Sequence, residues 1–68
     1  MKKWNGIKIS IGAGAEIDEE VILGYPSGRL GKETEVLIGD HAKIRSGTVI
    51  YQGVKIGDDF ETGHHVII

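Results

Sequence analysis

A chain of 68 residues without cysteine has neither disulfides nor thiolate metal sites to support a small core, which points to self-association as its extra stability. Eight basic and ten acidic residues are mixed along it, with no basic run beyond Lys2-Lys3, so the charge pattern excludes a nucleic-acid-binding footprint. No segment approaches the run of about 20 apolar residues that crosses a bilayer, and Trp4-Asn5-Gly6 and Lys8 interrupt any signal-peptide pattern, so a cytoplasmic chain without a membrane partner is expected.

Eleven glycines and eleven isoleucines, with one proline, favour many short strands joined by tight turns over helices. Trp4, Ile7 and Ile9 either begin the first strand or close its open end. Ile11, Ile17 and Leu23 then fall six residues apart, with Ala15 and Val21 at a second apolar place and Gly12, Asp18 and Gly24 after each large residue. From Leu23 to Ile38 the separation is fifteen, which breaks the period. The Pro, Gly and charged content of residues 25–35 therefore predicts a loop excursion there. The period returns at Ile38 and continues through Ile44, Ile50, Ile56, Thr62 and Ile68. Ala42, Thr48, Val54, Phe60 and Val66 fill the second place, and Asp40-His41, Ser46-Gly47, Gln52-Gly53 and Asp58-Asp59 fill the turns.

Side chains alternate between faces along an extended chain, so positions four and six residues along return to one side. A strand with two inward residues is too short to bury anything alone. Hexads stacked at the interstrand spacing of about 4.8 Å would bury the isoleucine column against itself and tie the coils by parallel hydrogen bonds.

The frame running from Ile38-Gly39-Asp40-His41-Ala42-Lys43-Ile44 to Thr62-Gly63-His64-His65-Val66-Ile67-Ile68 resembles the hexapeptide-repeat acyltransferase superfamily, in particular the first coils of a bacterial sugar or sugar-nucleotide acetyltransferase. That resemblance implies an all-β left-handed parallel β-helix with three hexads to a coil, an exception to the usual right-handed crossover. At the eighteen residues per coil so implied, the chain less its excursion makes about three coils, and His41 is expected to stack near Asp59 and His64 near Ser46, on different faces. It also implies a homotrimer with active sites between neighbouring prisms, acetyl-CoA as the acyl donor in the subunit groove, a sugar or sugar nucleotide as the small-molecule acceptor, and a histidine as general base.

His64 and His65 are the candidate bases. Acetyl transfer to a hydroxyl or amine requires a proton to leave the nucleophile as the bond forms, and an imidazole suits that task near neutrality. Both also read as polar residues of a surface turn, and the sequence does not choose between them. Thr62 in an isoleucine place favours a site, because a polar residue in a core column has a local reason. Arg29, in the excursion, is the candidate for holding an acceptor carboxylate or phosphate. His41 reads as an ordinary turn residue. The fold also houses the gamma-class carbonic anhydrases, whose zinc is held by histidines across a subunit boundary. The adjacent His64-His65 and the distant His41 do not match their spacing, so no metal is expected.

The chain is read as a single domain over residues 1–68 that stops in mid-coil, hence as a fragment of a longer β-helix that lacks coils needed for activity. The other reading is a non-catalytic, self-associating β-helix module.

Overall fold

The computed structural model describes residues 1–26 and 35–68. Eight short strands run through these residues: β1 (Lys2–Lys3), β2 (Ile9–Ile11), β3 (Glu16–Ile17), β4 (Ile22–Tyr25), β5 (Val36–Ile38), β6 (Lys43–Ile44), β7 (Val49–Tyr51) and β8 (Lys55–Ile56). Every pairing between them is parallel. Strands of two to four residues cannot bury an apolar side by themselves, so each pairs with the strand three places later in the chain. The result is three sheets, β1-β4-β7, β2-β5-β8 and β3-β6. Isolated parallel bridges from Lys43 to Glu61 and from Val49 to Ile67 extend two of them. The fold is a short left-handed parallel β-helix of about three coils, the architecture that the resemblance implies.

The register carries the repeat directly. Ile11 pairs with Ile38, and Ile38 with Ile56; Ile17 pairs with Ile44; Leu23 pairs with Ile50. These isoleucine columns are the core. Leu23, Ile44 and Ile50 are fully buried, and so are Val21, Ala42 and Thr48 at the second inward place. Burying one such aliphatic side chain stabilises a fold by about 1.5–3 kcal/mol, so the stack rather than any single strand holds the chain together.

The coil step from Ile38 to Ile56 is 18 residues, whereas the step from Ile11 to Ile38 is 27. The excursion expected over residues 25–35 falls in this longer step, and its residues 27–34 lie outside the described residues, whereas Tyr25 belongs to β4 rather than to a loop. Tyr25 closes β4 and Glu35 leads into β5, where it pairs with Lys8 at 3.6 Å. Arg29 lies outside the described residues. Trp4 does not close the end of the prism. Its ring packs on the outer surface against Tyr25, with centroids 4.8 Å apart, because Trp4 follows Lys3 and alternation turns it outward.

The outward residues make the faces unlike one another. On β3-β6 they are charged and paired: Lys43 with Glu61 at 3.6 Å, Arg45 with Asp18 at 3.5 Å and with Glu16 at 4.0 Å. On β1-β4-β7 they are mainly apolar. Lys2, Ile22 and Val49 stand in register, Ile67 continues the column, and Tyr25 and Tyr51 pack edge to face at 5.7 Å beside it. Tyr25 reaches Tyr51 because Gly24, at φ 80°, is an extra residue that bulges β4 and shifts the register.

Candidate functional site

The corner between the charged face and the apolar face is where the sequence-predicted histidines stand. The chain turns there three times, at Asp18-Glu19-Glu20, at Arg45-Ser46-Gly47 and at Gly63-His64-His65. Each pass follows an inward residue of the same column, Ile17, Ile44 and then Thr62.

Hydroxyl groups fix the last of these turns. Thr62 Oγ1 accepts the backbone N–H of Arg45 at 3.0 Å. Thr48, fully buried, donates its hydroxyl to the Gly63 carbonyl at 3.2 Å and accepts the Val66 N–H at 3.3 Å. No buried side-chain polar atom among the described residues lacks a partner, which is the condition for a hydroxyl to be tolerated in this core. The polar residue in the isoleucine column thus has a backbone role: it satisfies an amide of the coil beneath.

The two histidines are held differently. His64 Nδ1 lies 2.9 Å from Ser46 Oγ, one coil below, while its ring is exposed. Its other nitrogen, Nε2, makes no hydrogen bond with any described residue. His65 adopts a left-handed backbone with φ 56°, donates its N–H to the Ser46 carbonyl at 3.1 Å, and lays its ring over Gly47. Gly47 is itself left-handed, at φ 81°, and the imidazole occupies the space that a Cβ there would need. His65 is therefore packed against backbone, and His64 is the imidazole with one oriented nitrogen and one open one.

Ser46 is anchored from below. Its N–H donates to Asp18 Oδ2 at 2.9 Å, and the same carboxylate pairs with Arg45. Asp18, Ser46 and His64 belong to three successive coils, so the corner forms a continuous polar chain along the prism. In chemical terms it presents one exposed imidazole, with its orientation set by a hydroxyl, beside an apolar surface.

His41 stands at a different corner, between the β2-β5-β8 and β3-β6 faces. It is left-handed at φ 60°, and Asp59, at φ 61°, occupies the same turn place one coil on. Side-chain carboxylates tie that corner together: Asp40 Oδ1 accepts the Ala13 N–H at 2.9 Å and Asp58 Oδ1 accepts the Asp40 N–H at 2.7 Å. The predicted stacking of His41 near Asp59 and of His64 near Ser46 holds, and it separates the two sets of imidazoles. Among the described residues no group of three or more His, Cys, Asp or Glu side chains is arranged to hold a metal ion. No helix among them is long and apolar enough to cross a membrane.

The apolar face is the feature that sequence reasoning missed. Its signal is the column of residues one place before each buried hexad residue: Ile22, Val49 and Ile67 are apolar there, whereas Glu16, Lys43 and Glu61 are charged at the equivalent place on the next face. Comparison with known families, characterised proteins and solved structures yields no match to this chain.

Proposed function

We propose that this β-helix is an acyltransferase-type domain that moves an acetyl group from acetyl-CoA to the hydroxyl or amino group of a sugar or sugar nucleotide. The observation that carries this reading is the exposed His64 imidazole, oriented by Ser46, on the corner that adjoins the apolar face. Two requirements of the chemistry meet at that corner. A base must present a bare nitrogen to the acceptor, and His64 Nε2 is open. The donor's pantetheine arm needs an apolar strip, and Ile22, Val49 and Ile67 supply one along the helix axis. Lys2 and Lys3, exposed at its far end, are cations suited to the donor's phosphates. Bound acetyl-CoA would supply the activated acyl carbon. The chain's own part is to hold the acceptor and to take its proton at His64 Nε2.

Association fits the same surface. His64 stands on an outer corner, where a second copy of the chain would enclose it, so the working form is a cytoplasmic homo-oligomer, by resemblance a trimer. His65 braces the turn against Gly47. Arg29 is proposed as a contact for the acceptor's carboxylate or phosphate.

The test is a thermal-shift titration with acetyl-CoA, followed by thioester consumption with sugar acceptors. A ligand that binds the folded chain raises its melting temperature by mass action. A rise that reaches a few degrees at saturation is the expected result; acceptor-dependent release of free CoA, abolished by His64→Ala, is expected where the coils that complete the donor groove are present. No shift at saturating acetyl-CoA removes the donor site.

A second reading is a non-catalytic module whose role is assembly. The exposed Ile67, at 69%, which pairs with the half-buried Val49, and the exposed Tyr25 on the same sheet favour it, because a small chain that leaves such residues open has a surface ready to pair. Oligomer formation without acetyl-CoA binding selects this reading.

A further inference from the structure

We infer that Ser46 is the positioning residue for His64, accepting a hydrogen bond from Nδ1–H and so leaving Nε2 as the bare, basic nitrogen. This rests on the proposed role of His64 as base, and it names the tautomer and the group that fixes it.

The argument starts from proton inventory. A neutral imidazole carries one N–H and one lone pair, and the protonated ring carries two N–H groups. A base that works through Nε2 begins with its proton on Nδ1 and ends with protons on both nitrogens. Nδ1 is thus a donor before and after the transfer, and its partner must be an acceptor in both states. Ser46 Oγ meets that demand at 2.9 Å, since a hydroxyl has two lone pairs and can turn its own proton to solvent on this exposed corner. Were Ser46 the donor, the proton of the neutral ring would stand on Nε2, the open nitrogen could take none, and the imidazole could not act as a base there.

The backbone that carries the hydroxyl is held from both sides. The Ser46 N–H is held by Asp18 Oδ2, Asp18 Oδ1 is paired with Arg45 Nη1, and the Ser46 carbonyl takes the His65 N–H. The backbone of Ser46 is therefore pinned by the coil below and the coil above. His64 gains an orientation that neither His65, packed over Gly47, nor His41, at the other corner, receives. Serine in this place lends direction without charge, which sets the tautomer while leaving the ring free to exchange protons with an acceptor.

The experiment is long-range proton–nitrogen NMR on the uniformly 15N-labelled full chain at about pH 8, well above the reference imidazole value of about 6.5. In the unsubstituted chain His64 should show a protonated Nδ1 and a bare Nε2, distinct from His41 and His65. Ser46→Ala should collapse that signature to the mixed tautomers of an exposed histidine, and Ser46→Thr, which keeps the hydroxyl, should restore it. In acetyl transfer, Ser46→Ala should lower kcat by about tenfold with KM unchanged, the loss expected for one hydrogen bond. A proton found on Nε2 in the unsubstituted chain, or a signature that Ser46→Ala leaves intact, overturns the inference. The NMR result decides the inference whether or not acetyl transfer is observed, and failure of transfer by the unsubstituted chain counts against the proposed function alone.

Discussion

The Thr62 hydroxyl accepts the Arg45 N–H at 3.0 Å, and in doing so replaces a backbone carbonyl. At the equivalent place one coil earlier the Asp18 N–H donates to the Ile44 carbonyl, and on the neighbouring face the Gly39 N–H donates to the Ile56 carbonyl. Thr62 thus performs with a side chain what an isoleucine at its position would perform with its main chain. Removing the hydroxyl while keeping the shape tests this. Thr62→Val should lower stability by about 1 kcal/mol despite its greater apolarity, because a partly buried amide loses its acceptor. Urea unfolding followed by circular dichroism measures it, and an equal or higher midpoint shows that the Arg45 amide finds another partner.

Glycine positions with the same hexad place but different neighbours give a sharper contrast. A Cβ on Gly39 would meet the Asp58 carboxylate and lie 2.7 Å from the Asp58 nitrogen and the Gly57 carbonyl carbon, which are backbone and cannot move aside. A Cβ on Gly57 meets nothing within 4 Å. Gly39→Ala should cost about 1–3 kcal/mol through overpacking, while Gly57→Ala should change stability by less than about 0.5 kcal/mol. In a domain of this size the first corresponds to a fall in melting temperature of roughly 4–8 °C per kcal/mol. Equal melting temperatures for the two variants would show that the coils are not stacked in this register.

Core and outer columns should respond oppositely to polarity. Ile44 is fully buried between Ile17 and the Thr62 end of its column, so Ile44→Ala should cost about 2–5 kcal/mol. Differential scanning calorimetry reads this directly, and a loss below about 1 kcal/mol would place Ile44 outside the core.

The apolar face makes a prediction about mass rather than stability. Lysine at Val49 and at Ile67 places charge in the middle of that face, where like copies would meet. The double variant should sediment as a monomer with its far-UV spectrum unchanged. If the unsubstituted chain forms oligomers that the variant retains, association uses another face.

The inward columns were legible because their period is six and the chemistry at each place is nearly uniform. Ile44, Ile50 and Ile56 announce themselves. The placement of His64 near Ser46 followed from the eighteen-residue coil, but the contact between them depends on side-chain torsions that spacing does not encode. The Trp4, Tyr25 and Tyr51 cluster was hidden because its members obey no constant interval: the bulge at Gly24 shifts Tyr25 by one place, and the first coil step, from Lys2 to Ile22, differs from the others. The left-handed backbones at His41, Asp59 and His65 were also unread, although Gly14 and Gly47 occupy the same turn places one coil earlier and adopt the same hand.

The 27-residue step leaves one further consequence. Ile9 to Ile11 meet Val36 to Ile38 in unbroken register, and the next step returns to 18 residues, so the winding of the described coils is the same on both sides of the longer step. For a flexible connection, doubling the length costs only about 0.6 kcal/mol in closure entropy. Foreign peptides grafted between Pro26 and Glu35 should therefore leave the pairing of β2 with β5 and of β5 with β8 intact, which turns a repeat scaffold into a mount for chosen epitopes.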